Sequence, residues 1–320
     1  MIWRLMDHDV ARHPSEPFRF AVNDQTLSGT LWLPDGPPVT AVALVHGDGP
    51  QDRVSGGAYA PLINILLDQG IAVASWDKPG IGASEGAWRT QSMADRTVEA
   101  QAAMAQLQHR FDGIALGAMG FSQAGWVLPH LTEHDADFQV LVGPAVSWQA
   151  QGAYFTRTRL ERSGLTGADL TRAIAAQDRA NDRAFGPGAH INDRPADMAP
   201  DRWRFIRTNR MADARDALSQ LRLPLLAIWG ANDLNVDAHA DAATCRLVMR
   251  NPHPATERVL WPDATHGLLK AGPYNWQLTQ DWSRTAKLRF AVEGRYAYAP
   301  GALATITDWI IARASARPPT

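Results

Sequence analysis

Residues 117–125 read GAMGFSQAG, and this stretch decides the predicted fold. It ends an apolar run, residues 114–121, that is typical of a buried β-strand, and a helical pattern follows it. Ser122 therefore lies at the tip of a sharp turn from strand to helix. Gly120 and Ala124, two residues away on either side, are small enough for the backbone to turn tightly. Such a turn lifts the serine hydroxyl above a sheet, where the N–H of the next residue faces a reacting carbonyl.

The same alternation of strand and helix runs through much of the chain. Short apolar runs, as expected for strands buried on both faces, occupy residues 41–45, 71–76, 138–142, 223–229 and 258–261. Helical patterns occupy residues 58–69, 92–109, 123–131, 238–249 and 300–314, and two further strands are predicted at residues 18–22 and 26–34. Strands that alternate with helices of this length predict an α/β fold with a mostly parallel central sheet and helices on both faces.

The alternation stops in the middle of the chain. Residues 146–222 contain no convincing buried strand, and helical patterns cover residues 150–162, 167–183 and about 200–221. We therefore predict one α/β core, formed by residues 1–146 and 223–320, that is interrupted by a helical insertion over residues 147–222.

Several motifs resemble those of the α/β-hydrolase family. The turn at Ser122 is similar to the family's nucleophile elbow, Gly-x-Ser-x-Gly, with Ala124 in place of the last glycine. Residues 77–84, DKPGIGAS, resemble the family's Asp-x-x-Gly-x-Gly-x-Ser turn after the next strand. Residues 46–53, HGDGPQDR, resemble a loop found in a bacterial esterase and peptidase-like subset of the family. The resemblance implies an α/β-hydrolase fold for the core on both sides of the insertion.

The resemblance also implies a Ser-Asp-His catalytic set, which in this family follows the chain order nucleophile, acid, histidine. Ser122 is the expected nucleophile. Asp233 follows the strand at 223–229 within GAND, the position of the family's acid, and His266 lies within WPDATHG after the last strand. His266 would accept the serine proton as general base, and Asp233 would orient it and stabilise the imidazolium. Asp237 is the reserve candidate for the acid.

Two backbone amides are the expected oxyanion donors. By the resemblance they belong to Gln123, which follows the nucleophile, and to Asp48, in the loop after the strand at 41–45. A negative side chain that pointed into the site would oppose oxyanion formation, so we expect the Asp48 carboxylate to turn away, toward Arg53. His46, at the start of this loop, is expected to have a structural role.

The insertion lies where this family carries a helical cap over the nucleophile, after the sixth core strand. Trp148, Tyr154, Phe155 and Trp203 are aromatic residues within it that could line an apolar acyl or alcohol pocket. They could instead form the core of the cap, because large aromatic rings most often pack inside a fold.

The bulk composition excludes some classes of function. With 320 residues, a net charge of −2 and 45% hydrophobic residues, the chain has the composition of a soluble globular protein and no excess of positive charge for nucleic acid. Cys245 is the only cysteine, so neither an intramolecular disulfide nor a cysteine-based metal cluster can form. The first residues lack the apolar segment of a signal peptide, and no stretch is long enough to span a membrane. These features predict a cytoplasmic protein.

Together, these observations predict a serine hydrolase that cleaves a small-molecule carboxylic ester through an acyl-enzyme, without a metal or an organic cofactor. Two alternatives remain open at this point. The same catalytic set serves thioesterases and peptidases or amidases, and a protein can retain a fold while only binding a ligand.

Overall fold

The computed structural model describes residues 6–315. Residues 1–5 and 316–320 lie outside that range, and the signal-peptide prediction rests partly on the first of these segments. No helix within the described residues is long and apolar enough to cross a membrane.

Eight strands form one sheet, as the alternating pattern predicts. They are β1 (Ser15–Val22), β2 (Gln25–Trp32), β3 (Thr40–Val45), β4 (Ile71–Trp76), β5 (Ala115–Phe121), β6 (Phe138–Val142), β7 (Leu225–Gly230) and β8 (Glu257–Trp261). The strand order is β1-β2-β4-β3-β5-β6-β7-β8. β1 and β2 pair antiparallel with each other, β2 also pairs antiparallel with β4, and the remaining pairs are parallel. This is the expected α/β architecture.

Helices cover both faces of the sheet. They are α1 (Ala60–Asp68), α2 (Met93–Arg110), α3 (Trp148–Arg162), α4 (Gly167–Phe185), α5 (Pro200–Asn209), α6 (Arg215–Gln220), α7 (Ala238–Val248), α8 (Ala271–Tyr274), α9 (Arg284–Glu293) and α10 (Ala302–Ala314). Alternate residues of β3 belong to different apolar clusters, because successive side chains of a strand point to opposite faces. One cluster includes buried residues of α2 and α7, and the other includes those of α1 and α10.

The helices α3 to α6 lie in the chain between β6 and β7, where the sequence predicts an insertion. The prediction of a single helix over residues 200–221 is wrong. One helix ends at Asn209, and a second helix begins at Arg215. In the gap, the Ala212 carbonyl accepts from the Trp148 amide, and the Ala214 amide donates to the Val146 carbonyl. These backbone groups pair with the segment at Val146 and Trp148 instead of within one helix.

The helix predicted after the serine is also different. Residues Ser122–Trp126 and Leu128–His130 form two short 3-10 turns rather than one α-helix. Pro129 has no N–H and cannot make the α-helical bond to the carbonyl four residues earlier. The nucleophile-elbow region is therefore more tightly wound than the sequence pattern predicts.

Candidate active site

The backbone at Ser122 has the strained conformation of a tight turn. Its φ angle is 51°, in the left-handed region that residues other than glycine rarely adopt, and it directly follows β5. A Cβ on Gly120 would lie 2.5 Å from the Ala124 Cβ, so glycine is required there. The methyl group of Ala124 occupies the space that this glycine leaves open. This packing explains why alanine can replace the last glycine of the elbow motif.

His266 and Asp233 are in direct contact. Asp233 lies in the loop after β7 and His266 in the loop after the neighbouring β8, so both are at the carboxyl edge of the parallel strands. His266 Nδ1 is 2.6 Å from Asp233 Oδ2. The other carboxylate oxygen, Oδ1, accepts from the amides of Asn235 and Val236 at 2.7 and 2.9 Å. The carboxylate is thereby held in one orientation, and within residues 6–315 the remaining imidazole nitrogen, Nε2, makes no hydrogen bond.

The environment of His266 favours its charged form. Burial opposes the imidazolium, but the negative charge of Asp233 and the hydrogen bond to it outweigh this effect and raise the pKa of His266. The Asp233 side chain is fully buried, and 25% of the His266 side chain is exposed. Asp237, the reserve acid, instead accepts from the Ala240 amide at 3.0 Å as the N-cap of α7.

The two predicted oxyanion amides flank the serine. Gln123 is the residue after Ser122, and a Cβ built on Gly47, the neighbour of Asp48, would lie 3.4 Å from the Ser122 Cβ. Within residues 6–315, the backbone amide of Asp48, which lies in a loop, donates no hydrogen bond to another protein atom. Gln123 is the second residue of the 3-10 turn Ser122–Trp126, and the first N–H groups of a helical turn have no partner within it. Unused donors beside a serine hydroxyl are what an oxyanion site requires.

The Asp48 carboxylate pairs with a partner that the sequence did not indicate. Arg53 donates instead to Asp77, at 2.6 Å between Nη2 and Oδ2. Asp48 receives two hydrogen bonds from Arg202 of α5, at 2.9 and 3.2 Å. Burial opposes ionisation of Asp48, but the charge and hydrogen bonds of Arg202 lower its pKa. A residue of the helical insertion therefore neutralises the carboxylate of a predicted oxyanion residue.

Two buried cations hold the loop that contains Asp48. Lys78 Nζ donates to the carbonyls of Gly47 and Gly49, and Arg96 donates to the His46 carbonyl at 2.5 Å and to the Gln123 side chain. Neither residue is predicted to be functional from the sequence. Lys78 belongs to the DKPGIGAS motif, which predicts only a turn, and the sequence around Arg96 predicts only a helix.

His46 is placed as the sequence predicts for a structural residue. It is 1% exposed, stacks on Tyr59 with ring centroids 5.6 Å apart, and its Nε2 is 2.5 Å from the Trp76 carbonyl. Burial and the neighbouring Lys78 charge lower the pKa of His46 to about 3. His46 is therefore neutral at ordinary pH, with its single ring proton on Nε2, which donates to the Trp76 carbonyl.

A cavity of about 680 Å³ opens at the serine. Ser122, Gln123 and Asp48 line it on the side of the sheet. The apolar lining residues include Trp126, Trp148, Phe155, Phe185, Met198 and Ile206. Most of them belong to the helices between β6 and β7. The cavity thus has a polar end at the serine and a body lined by apolar residues together with polar side chains such as Gln149, Asn181 and Arg210.

The four predicted pocket aromatics have different positions. Trp148 and Phe155 line the cavity, and Trp148 stacks on Trp126 at 4.9 Å between centroids. Tyr154 is not among the lining residues, and its hydroxyl donates to the Asp233 carbonyl at 2.8 Å. Trp203 is 5% exposed and its Nε1 donates to the Ala184 carbonyl, so it packs among the helices away from the cavity.

Comparison with known families agrees with this architecture. The family model described as serine aminopeptidase, S33, matches residues 36–271, which is well over half of the chain. The chain belongs to this family and is a serine hydrolase of the α/β-hydrolase fold. No curated protein sequence matches the chain significantly.

Solved structures with the same fold include several hydrolases of low sequence identity. An esterase from Pyrococcus furiosus is 17% identical over 84% of this chain and 89% of its own, with a TM-score of 0.57. Est1E from Butyrivibrio proteoclasticus, solved with ferulic acid bound, is 13% identical over 93% of this chain and 99% of its own, with a TM-score of 0.55. A lipase in an open form is 16% identical over 95% of this chain and 100% of its own, with a TM-score of 0.56. At these identities the likeness shows the fold alone.

Proposed function

We propose that this enzyme hydrolyses a small-molecule carboxylic ester through an acyl-enzyme on Ser122, with His266 as general base and Asp233 as the acid that orients it. The observation that carries the proposal is the 2.6 Å contact between His266 Nδ1 and Asp233 Oδ2. The contact lies at the same edge of the sheet as Ser122, whose φ angle is 51°. Because Nδ1 is bonded to Asp233, Nε2 is the nitrogen that would accept the serine proton. The proposed mechanism uses no metal and no organic cofactor.

Acylation begins when Ser122 Oγ attacks the ester carbonyl carbon and its proton passes to His266 Nε2. The carbonyl oxygen becomes an oxyanion that accepts hydrogen bonds from the amides of Asp48 and Gln123. The fully buried Asp233 stabilises the imidazolium that forms. When the intermediate collapses, the ester C–O bond breaks, and the leaving alkoxide takes the proton from His266 and departs as the alcohol.

Deacylation repeats these steps with water. His266 accepts a proton from a water molecule as its oxygen attacks the acyl carbon, and the same two amides hold the second oxyanion. Collapse breaks the bond between the acyl carbon and Ser122 Oγ, and the proton on His266 returns to that oxygen. The products are a carboxylic acid and the free enzyme.

We further propose that residues 147–222 form a cap and that residues 1–146 and 223–320 form the core. The cavity supports this division, because most of its lining away from the serine is contributed by α3, α4 and α5. Trp148 and Phe155 are the proposed pocket residues that would contact an apolar acyl or alcohol group. Tyr154 would hold the loop of Asp233 by its hydrogen bond to the Asp233 carbonyl. Trp203 would stabilise the packing of the cap helices by its hydrogen bond to the Ala184 carbonyl.

The charge of the cavity favours an ester over a peptide with a free amino terminus. A protonated amino group needs an unpaired carboxylate close to the nucleophile. The described cavity-lining carboxylates are Asp48, Asp178 and Asp182. Asp48 is paired with Arg202, Asp182 lies 3.7 Å from Arg210, and Asp178 is exposed to solvent. None of them is a buried, unpaired partner for an ammonium group beside Ser122.

A panel of substrates that share one medium-length acyl group and differ in the leaving group tests the proposal. The alcohol ester should have the highest kcat/KM, followed by the thioester and then the anilide, and the Ser122→Ala variant should hydrolyse none of them above background. Faster cleavage of the anilide would replace the esterase assignment with a peptidase or amidase. A ligand that binds the wild type and Ser122→Ala equally, without turnover by either, would favour a binding protein.

A further inference from the structure

Lys78 is a buried cation that the mechanism above does not use. It is the second residue after β4 and is only 2% exposed. Its Nζ is 2.5 Å from the Gly47 carbonyl oxygen and 3.0 Å from that of Gly49. Both carbonyls belong to the loop that carries Asp48, so one ammonium group bridges the backbone on either side of that residue.

The Gly47 carbonyl and the Asp48 N–H belong to the same peptide group. An ammonium that donates to the carbonyl oxygen draws electron density from the amide, and the N–H at the other end becomes a stronger hydrogen-bond donor. Hydrogen bonds in series strengthen one another in this way, most of all inside a protein where the effective dielectric is low. A charged donor also makes a stronger bond to the carbonyl than a neutral one.

The cost of burying Lys78 indicates a function beyond packing. A cation that is moved out of water loses its hydration, and a hydrocarbon side chain of similar length would fill the same space without that loss. In the described part of the chain, no carboxylate lies within hydrogen-bonding distance of Nζ. The Trp88 ring, at 5.3 Å, is its aromatic neighbour. The ammonium is therefore committed to the loop carbonyls.

We propose that Lys78 is a positioning residue that fixes and polarises the Gly47–Asp48 peptide so that the Asp48 N–H stabilises the oxyanion. This inference rests on the proposed function, because it assigns Lys78 to the oxyanion site of that reaction. Lys78 does not itself touch the substrate, because it is 2% exposed and its Nζ donates to the Gly47 and Gly49 carbonyls. Lys78 should stabilise the transition state more than the bound substrate, because the negative charge on the carbonyl oxygen develops only there.

The central experiment is the variant Lys78→Met, which removes the charge and keeps a side chain of similar length. We expect kcat on the ester to fall about 10- to 100-fold, less than or comparable to the removal of a whole oxyanion donor, while KM changes less than about twofold. The affinity for a boronic acid that mimics the tetrahedral intermediate should fall in proportion to kcat/KM. Lys287→Met, which removes an exposed lysine of α9, serves as the matched control and should match the wild type.

The outcomes separate this inference from the proposed function. If the wild type hydrolyses no ester and is not labelled by a fluorophosphonate, the proposed function fails first. If the wild type is active and a folded Lys78→Met variant keeps kcat within twofold, Lys78 has no part in the oxyanion site. A loss of kcat without a parallel loss of boronic acid affinity would also overturn the proposal, because it indicates only a structural role.

The pH dependence of the wild type provides a test that does not require the variant to fold. Burial lowers the pKa of Lys78 well below its usual value, and the Arg96 charge acts in the same direction. Asp48 and Glu99 oppose this shift, Arg202 adds to it, and the buried His46 beside it is neutral. We expect kcat to decline at alkaline pH, below the usual lysine pKa of about 10.4, as the ammonium loses its proton. A kcat that stays level through that range would contradict the proposal.

Discussion

The two sides of the cavity are built differently. On the core side, Asp233, Lys78 and Arg96 are buried, and each makes hydrogen bonds that hold backbone groups in place. On the side of α3 to α5, the lining residues such as Phe155 are only half-buried, and Arg202 is 31% exposed. The core side is held by buried hydrogen bonds, whereas the side of α3 to α5 is partly exposed and is lined by both apolar and polar side chains.

This difference separates two requirements of the proposed reaction. Oxyanion stabilisation depends on free donors that are already in position before charge develops, so it needs buried loops whose other polar groups are hydrogen-bonded. Recognition of an acyl or alcohol group depends mostly on shape and apolar area, which a set of half-buried helices can supply. We therefore expect substitutions on the core side to lower kcat for every ester, and substitutions on the helical side to change the preference among esters.

Few polar contacts connect the two sides near the serine. Tyr154 donates to the Asp233 carbonyl, and Arg202 donates to the Asp48 carboxylate. Gln151 of α3 also donates to the Asn235 carbonyl at 2.9 Å. Each contact reaches a loop of the proposed catalytic site, so these are the points at which substitutions on the helical side should affect the chemistry.

The largest effect in this comparison is expected for Asp233→Asn. The amide cannot stabilise the imidazolium, so kcat should fall about 10⁴-fold. Because Asp233 raises the pKa of His266, the acid limb of kcat/KM should lie above the usual histidine value of about 6.5 in the wild type and move to lower pH in the variant. The profiles of kcat/KM against pH measure both changes.

Asp237→Asn is the matched control for that variant. Asparagine can accept from the Ala240 amide as aspartate does, so the N-cap of α7 is preserved. The control should keep the wild-type rate and pH profile. If Asp237→Asn instead removes the activity while Asp233→Asn retains it, the acid has been assigned to the wrong residue.

The positions of the three candidate catalytic residues could be predicted from strand ends, while their catalytic roles stay predictions. Ser122, Asp233 and His266 each follow an apolar run that predicts a strand, the structure has a strand at each of these runs, and parallel strands bring their carboxyl ends to one edge. The order of the strands was not predicted, because apolar runs that are buried on both faces carry no information about which strand pairs with which.

The partners of the charged residues could not be predicted from the sequence. Lys78 and the Gly47 carbonyl are 31 residues apart in the chain, and Arg202 and Asp48 are 154 residues apart. Arg53 is the partner expected for Asp48 from the sequence, where the two lie in one loop. In the structure Arg53 instead donates to Asp77, in the turn after β4, and Asp48 pairs with Arg202 of α5.

A smaller and more selective effect is expected for Phe155→Ala. The side chain lines the cavity, and its truncation removes apolar area that would cover a long acyl chain. We expect kcat/KM for a medium or long acyl ester to fall about 10-fold, with less than about a twofold change for the acetyl ester. A series of esters with one alcohol and increasing acyl length measures the change in preference.

Phe290→Ala tests whether that effect is local. Phe290 packs against Tyr274 and Trp282 and does not line the cavity. Its truncation removes the same kind of ring and leaves the cavity lining unchanged. The acyl-length preference should stay as in the wild type. An equal loss for short and long acyl groups in Phe155→Ala would contradict the assignment of substrate preference to the helical side.

The smallest effect is expected for Arg202→Gln. The pair with Asp48 is partly exposed, and such pairs contribute about 0.2–1 kcal/mol. Loss of Arg202 leaves a negative carboxylate beside the oxyanion, so kcat should fall about two- to fivefold. The effect should nearly vanish when Asp48→Asn is added, because no charge then remains to be neutralised. Steady-state rates of the two single variants and the double variant complete this cycle.

Arg204→Gln, on the exposed face of the same helix, is the control for Arg202→Gln and should have wild-type rates. If the Arg202→Gln effect is equally large with and without Asp48→Asn, Arg202 acts by another route, such as the packing of α5. In that case the two sides of the cavity would not be coupled through this ion pair.

The central claim is that Ser122 is an activated nucleophile on the rigid core side of the cavity. The most direct test is the intact mass of the wild type and of Ser122→Ala after incubation with a fluorophosphonate, followed by peptide mapping. The account predicts one adduct on the wild type, located on Ser122, and none on the variant. An unlabelled, folded wild type, or an adduct that persists in Ser122→Ala, would contradict it.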